Sequence, residues 1–315
     1  MDLRLYMLQR LLALGLILVG GSMVIFVILR FMPGDPVVAM LGPDYDQAVA
    51  AEMRERMGLD LPLLTQYGIW VGDALTGDLG RSHFLKRDVT ELLAARFPTT
   101  LMLAVSSLLV ALAIAIPAGI IAAKQKGRAL DHVSRLVALA GVSMPNFWLG
   151  LLLIMVFAVN LRWLPAGGFV SPMVDPLATL AHLVLPAITL GTAYAATITR
   201  MLRASMVDVL QRDYILVARA MGLQERRIVW HDAARNALIP TVTVAGFAFG
   251  YMLAGTIIVE VIFNIPGVGR LLYESILTRD YPVVQGIVLF NVAIFVIVNF
   301  AVDLIYTMLD PRIRY

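Results

Sequence analysis

The chain contains no cysteine. That removes disulfides, thiolate nucleophiles and Cys-based metal sites at once. Histidine is scarce: His83, His132, His182 and His231 fall in four separate segments and offer no spacing for a metal cage. There is no HExxH helix. There is also no G-x-x-x-x-G-K-[ST] phosphate loop, so the chain is not expected to hydrolyse ATP itself. Charge is thin, at 15% of residues, where a soluble chain carries about 25%. Low-complexity tracts and internal repeats are missing too, which argues against a secondary carrier built from duplicated halves.

What fills the chain is apolar. Hydrophobic residues make up 60% of it, and the mean hydropathy is +0.83. Six runs lack Asp, Glu, Lys and Arg: Leu11–Leu29, Phe97–Ala123, Leu136–Leu161, Pro176–Thr199, Asn236–Val259 and Tyr281–Val302. Each reaches the roughly 20 residues that cross about 30 Å of hydrocarbon. A soluble protein would need six core helices of that length with almost no polar face. The first run is not read as a signal peptide, because no small-residue cleavage site follows it, only Arg30-Phe-Met-Pro-Gly-Asp-Pro36. The expected fold is therefore all-α, with six transmembrane helices forming one membrane domain over 1–315.

Six spans put both termini on one side. The segments 1–10, 124–135, 200–235 and 303–315 hold 15 of the 25 Lys and Arg but only 8 of the 22 acids, a net charge of +7. Segments 30–96, 162–175 and 260–280 hold 10 and 14, a net of −4. Positive residues remain on the cytosolic side. Both termini and 200–235 are expected in the cytosol, and 33–98 outside it.

The outer segment should carry short helices at Gln47–Met57, ended by Gly58, and at Val89–Arg96, stopped by Pro98. Tyr67 and Trp70 suit an interfacial position. Small residues recur every fourth position at Ala111/Ala115/Gly119/Ala123, Ala187/Gly191/Ala195/Thr199 and Gly246/Gly250/Ala254. Such stripes let helices approach closely, within the chain or against a partner subunit. Pro117, Pro145 and Pro186 should kink their spans. Glu260 and Asp303 stand at span ends, where interfacial water can solvate them.

One enzyme reading is tested by depth. Gly141-Val-Ser143-Met resembles the G-x-S-x of rhomboid-type intramembrane proteases, and His182 is the only histidine within a span. By their places along the spans, Ser143 and His182 differ by about 11 Å in depth. A nucleophile and its base need about 3 Å, so a packing role for His182 is preferred. The polar residues inside the spans are mild. They suit a wide path for a solute that needs hydrogen bonds, with Met144, Pro145, Asn146, Asn291 and Asn299 as candidate path or gate residues.

The most specific stretch lies between the fourth and fifth spans. Asp213 should cap a helix over Ile215–Met221, Gly222 should end it, and a second helix should run over Gln224–Ala237. Arg212, Arg219 and Arg226 recur every seven residues and would make one basic stripe on an unbroken helix, which Gly222 should bend; they also fit plain positive-inside charge near anionic lipid. Ala218-Arg-Ala-Met-Gly-Leu223 and Arg235-Asn-Ala-Leu-Ile-Pro240 resemble the coupling segment of permeases in ATP-driven ABC importers. They depart from its general form, E-A-A-x3-G-x9-I-x-L-P. Here Leu216-Val-Ala218 replaces E-A-A, and Gly222 and Pro240 stand 18 residues apart. Both departures resemble the B-type subunit of the dipeptide/oligopeptide/nickel branch. Further matches run in order along the chain: Pro33-Gly-Asp-Pro36, Met57-Gly-Leu-Asp-Leu-Pro62, Gly77-Asp-Leu-Gly80, Ser143-Met-Pro-Asn-Phe-Trp148, Phe263-Asn-Ile-Pro-Gly-Val-Gly269, Arg279-Asp-Tyr-Pro282 and Asp310-Pro-Arg312.

That resemblance implies a permease in the bacterial inner membrane. It would pair with a homologous second permease, two ATP-binding subunits holding ATP and Mg, and an extracytoplasmic solute-binding protein. Lipid would surround it, and nucleic acid is not expected as a partner. No cofactor is expected on this chain. Asp213, Tyr214, Ala218, Arg219, Ala220, Gly222 and Leu223 would form the ATPase-coupling surface. Small peptides are the preferred cargo, glutathione-like ones among them. Nickel, or a nickel chelate, is the alternative, although the spans offer one histidine for an ion that favours nitrogen ligands. A stand-alone carrier or channel is the remaining different class.

Overall fold

The computed structural model describes residues 3–31, 36–41, 45–129, 141 and 144–309. Among these the chain is helical, and its one β-type contact is an isolated bridge between Arg81 and Asp88. The helices are α1 (Leu3–Phe31), α2 (Pro36–Leu41), α3 (Gln47–Arg56), α4 (Leu63–Thr76), α5 (Val89–Lys124), α6 (Asn146–Asn160), α7 (Pro176–Leu210), α8 (Asp213–Ala220), α9 (Glu225–Gly255), α10 (Ile257–Ile262), α11 (Val268–Leu277) and α12 (Tyr281–Leu309). Five described helices are long and apolar enough to cross a membrane, within α1, α5, α7, α9 and α12. Of the third run, Leu136–Leu161, residues 136–140 and 142–143 lie outside the described residues, Ser143 of the protease reading among them. The remainder is carried by α6, whose second half, Ile154–Asn160, is π-helical.

The chain forms two compact units. One holds residues 101–265 and 297–315, the other 2–100 and 266–296. In the first, the small-residue stripes of α5 and α7 lie buried. A Cβ on Gly191 would fall 2.6 Å from the Ser107 carbonyl oxygen, and one on Gly119 would fall 3.0 Å from Leu202. These two stripes serve packing within the chain, so the partner-facing reading does not hold for them. Near the other end of this unit, Phe263 is fully buried. Its carbonyl accepts from the Gly168 amide at 2.7 Å, and a Cβ on Gly167 would meet that same oxygen at 2.3 Å. His182 contacts the Gly167 carbonyl through Nδ1 at 3.0 Å, which accounts for its place in an apolar helix.

In the second unit, Asp280 is a buried carboxylate. It accepts from the Ser82 hydroxyl and from the amides of His83 and Phe84. Ser82 in turn accepts from the Leu85 amide at 2.8 Å. The Val268 amide donates to Thr100 Oγ1 at 2.8 Å, and Phe97 meets Phe290 edge-on. On α1 and α4, Phe26, Tyr67 and Trp70 form an aromatic cluster, and Ser22 and Tyr67 share a hydrogen bond of 2.8 Å.

Three expectations are corrected here. Pro98 does not stop a short helix: α5 runs through it for 36 residues. The turns around it are held by buried Thr99 and Thr100 and by the Phe97 ring, so one missing amide does not break the rod. Pro145 does not kink a helix but begins one, in extended conformation (φ −61°, ψ 133°) as the N-cap of α6. Glu260 is not solvated. It lies fully buried in α10, where Thr256 Oγ1 donates to its carboxylate at 2.8 Å. The third helix beginning at Gln47 is as expected, with Gly58 in the left-handed region after it (φ 63°).

Gly191→Val should weaken the α5–α7 contact by about 1–3 kcal/mol, since backbone cannot retreat from an added side chain. Gly72→Ala on α4, where a Cβ meets nothing within 4 Å, should be neutral or slightly stabilising. Thermal unfolding of the two variants in detergent, read side by side, checks this.

Candidate functional site

The polar segment between α7 and α9 is a helical hairpin. α7 ends at Leu210, and Arg212 takes an extended conformation (φ −77°, ψ 150°) as the N-cap of α8. Asp213 is thus not the cap. It is the first residue of the helix, where its negative charge complements the amino-terminal end of the helix dipole. The carboxyl end closes with both hydrogen bonds of a Schellman turn: Leu223 N–H to Ala218 O at 3.2 Å, and Gly222 N–H to Arg219 O at 3.0 Å. Gly222 makes the reversal in the left-handed region (φ 77°). Gln224 returns to extended conformation, and α9 starts at Glu225.

Packing fixes this hairpin to the rest of its unit. Ile215 is fully buried in a cluster with Leu202, Met206 and Val209 of α7, Ile120 and Ala123 of α5, and Ile228, Val229 and Ala233 of α9. Burying one such side chain contributes about 1.5–3 kcal/mol. Asn236 Nδ2 donates to the Tyr214 hydroxyl at 2.9 Å. Arg219 Nε donates to Glu225 Oε1 at 2.9 Å, bridging the two arms. Arg212, Arg219 and Arg226 therefore do not form one helical stripe, because Gly222 turns the chain between them and Arg219 is engaged by Glu225.

The other side of the hairpin is bare and apolar. Leu216 is 53% exposed, Val217 56% and Met221 76%, with Leu223 beside them at 38%. Ala220 is exposed and Ala218 half-buried. Exposed Arg212, Arg226 and Arg227 flank this patch. The tip is thus an exposed apolar patch with a basic rim, held from behind by the Ile215 cluster, and patches of this kind commonly mark interaction surfaces.

The path candidates are less concentrated. Met144 and Asn146 are half-buried and Pro145 exposed at the start of α6. Asn299 is half-buried in the first unit, its Oδ1 without a hydrogen-bond partner. Asn291 belongs to the second unit. Sequence reasoning missed the Ile215 anchor and the Tyr214–Asn236 and Arg219–Glu225 contacts. The one available signal was the apolar run Ile215-Leu216-Val217 near the start of the short helix, of which only Ile215 turns inward.

Residues 115–315 match the family described as the binding-protein-dependent transport system inner membrane component. Residues 3–104 match the amino-terminal part of such membrane components. Over 310 residues the chain is 43% identical to the glutathione transport system permease protein GsiC of Escherichia coli O6:H1, covering 98% of this chain and 99% of that one. It is 42% identical to the protein of the same name in Shigella dysenteriae serotype 1, with the same coverage. Among solved structures it resembles a chain of the MetNI methionine ABC transporter in an inward-facing conformation. That likeness has a TM-score of 0.57 at 18% identity and covers 70% of this chain and 96% of the other; it speaks for the fold alone.

Gly222 has nothing within 4 Å of an added Cβ, so a substitution there tests backbone conformation rather than space. Gly222→Val should cost about 1–3 kcal/mol in local stability. Gly222→Asn should cost much less, because asparagine tolerates the left-handed region. Amide hydrogen exchange across 213–227 separates the two.

Proposed function

The chain belongs to the family of binding-protein-dependent transport-system inner membrane components, and from that membership we propose how it works and what it carries. It is a multi-pass permease subunit of the bacterial inner membrane. In the proposed assembly it pairs with a homologous second permease, two ATP-binding subunits and an extracytoplasmic solute-binding protein. ATP and Mg reside on the ATP-binding subunits. The chain acts as one transmembrane domain of six spans with both termini cytosolic, 33–98 outside and 200–235 inside.

The observation that carries the coupling role is the hairpin itself. Its apolar tip (Leu216, Val217, Met221, Leu223) is exposed while Ile215 roots it in the same cluster as α5, α7 and α9. A partner pressing on the tip thus moves the roots of three apolar helices. Asp213, Tyr214, Ala218, Arg219, Ala220, Gly222 and Leu223 shape that contact. ATP-driven closure of the partner subunits would shift the balance between inward-open and outward-open states by its differential affinity for them. Leu216→Asp combined with Met221→Asp should leave the chain folded in the membrane but abolish both co-purification of the ATP-binding subunits and uptake. Retained co-purification with normal uptake would remove the coupling role.

Small peptides, glutathione-like ones among them, are the proposed cargo. Support comes from the relatives named for glutathione transport and from mild polar side chains such as Asn146, Asn291 and Asn299, with Met144 and Pro145 beside the first, as the proposed path. The reconstituted complex should take up labelled glutathione or short peptides. Nickel uptake without peptide uptake would reverse this. For the topology, single cysteines at Gln47 and Gln224 of this Cys-free chain should react oppositely with an impermeant reagent in intact cells: position 47 labelled, position 224 silent.

A further inference from the structure

The second unit holds a cavity of about 530 Å³. Among the described residues, six carry a buried side-chain polar atom with no hydrogen-bond partner, and four of these residues line this one cavity: Arg30, Gln66, Trp70 and His83. Buried polar atoms are ordinarily paired, because leaving one unpaired costs its desolvation. Four around one space ask for a polar occupant.

The atoms define its chemistry. Arg30 Nε–H and Trp70 Nε1–H can only donate, so they call for an acceptor, and the guanidinium favours an anionic one. Gln66 calls for the opposite. Its Nε2 donates to the carbonyls of Leu59 at 3.0 Å and Leu61 at 2.7 Å, which fixes the amide and leaves Oε1 as an acceptor lacking a donor. His83 can supply either role according to its tautomer. Burial pushes its pKa below the ordinary value, which Lys86 reinforces and Asp280 opposes. The charged groups on the wall are Arg30, Arg56 and Asp73, with Arg56 held by Glu52 at 2.6 Å. The rest of the lining is largely apolar, including Phe26, Leu29 and Ile69. The occupant therefore carries an oxyanion, a nearby N–H or O–H donor, and apolar matter.

Position says which such molecule is present at high concentration. Arg30 sits in the last turn of α1, whose apolar span ends at Phe31. The α4 wall bears bare apolar side chains as well: Leu63 is 51% exposed, Leu64 79% and Leu75 83%. Trp70 and Tyr67 belong to the residue types that settle at headgroup depth. We propose that this cavity binds a phospholipid headgroup, with the phosphodiester on Arg30 and Trp70 and the ammonium or hydroxyl donor of the headgroup on Gln66. The site is independent of what the permease carries.

The test uses the full-length chain, purified in detergent with the subunits that co-purify. Dihexanoyl phosphatidylethanolamine, inorganic phosphate and glutathione are titrated separately, and thermal unfolding is followed. The short-chain lipid should raise the melting temperature saturably, and inorganic phosphate and glutathione should not. Arg30→Met should weaken the apparent lipid affinity roughly tenfold. Trp70→Phe keeps the ring but loses the donor, and should weaken it about threefold. Circular dichroism reports whether each variant is folded, and the Trp70 variant decides if the Arg30 variant is not. An equal response to inorganic phosphate would assign the site to a free oxyanion and overturn the lipid proposal, and saturable stabilisation by glutathione would assign it to the solute. A lipid response unchanged in both variants, or no response to any ligand, would overturn it too and leave the cavity to water.

Discussion

Every part of this molecule answers to one constraint: a backbone in hydrocarbon must satisfy its own amides and carbonyls. That is why the apolar runs are helices, and why the interesting chemistry collects where helices end. The endings are handled in a repeated way. After α3, α4 and α8 a glycine enters the left-handed region, at Gly58, Gly77 and Gly222. In each case the last carbonyls are closed by the amides just beyond. The chain turns sharply without leaving polar backbone bare, and it can then place a short helix or loop where a partner, a solute or a lipid can reach it.

Tertiary anchors do the complementary job. Three buried groups tie non-helical or short pieces to the long rods: Ile215 under the hairpin, Phe263 under the loop at Gly167, and Asp280 under the turn that begins at Ser82. Each is a single residue that meets groups from more than one neighbour. Ile215 acts through apolar area, Phe263 through shape and its carbonyl, Asp280 through charge-assisted hydrogen bonds. Asp280 has the most to lose, because removing a buried carboxylate strands a hydroxyl and two amides together.

How far the sequence could be read follows from these physical differences. Span positions depend on composition averaged over some twenty residues, so five of the six apolar runs were legible as the cores of long described helices, whereas the ends of α5, α7 and α9, which lie two to three turns from the ends of those runs, were not. Gly222 was legible because only backbone conformation was in question, and glycine announces that locally. Asp280 was not, since its hydroxyl partner lies 198 residues away and nothing near Arg279-Asp-Tyr-Pro282 signals the pairing. Glu260 misled because an acid at the end of an apolar run suggests water. The structure instead ends α9 at Gly255 and starts a separate short helix that takes the carboxylate inward. Asp213 misled by a single position: the residue type was right for a cap, and the helix began one residue earlier in phase. The proposed coupling segment stood out by its pattern, whereas the contacts that hold it, Ile215, Tyr214–Asn236 and Arg219–Glu225, came only from three dimensions.

The close approach at Gly191 has a mechanical corollary. Ala187 and Ala195 stand one turn to either side of it on the same stripe. If α7 slid along α5 by a turn in either direction, an alanine would arrive where a Cβ has only 2.6 Å to the Ser107 oxygen. The stripe looks like a smooth track, yet only one of these neighbouring rungs fits. It therefore works as a detent. The two helices are geared at a single setting, and under the proposed coupling a stroke delivered through the hairpin would travel along them as through one lever, without slippage between them.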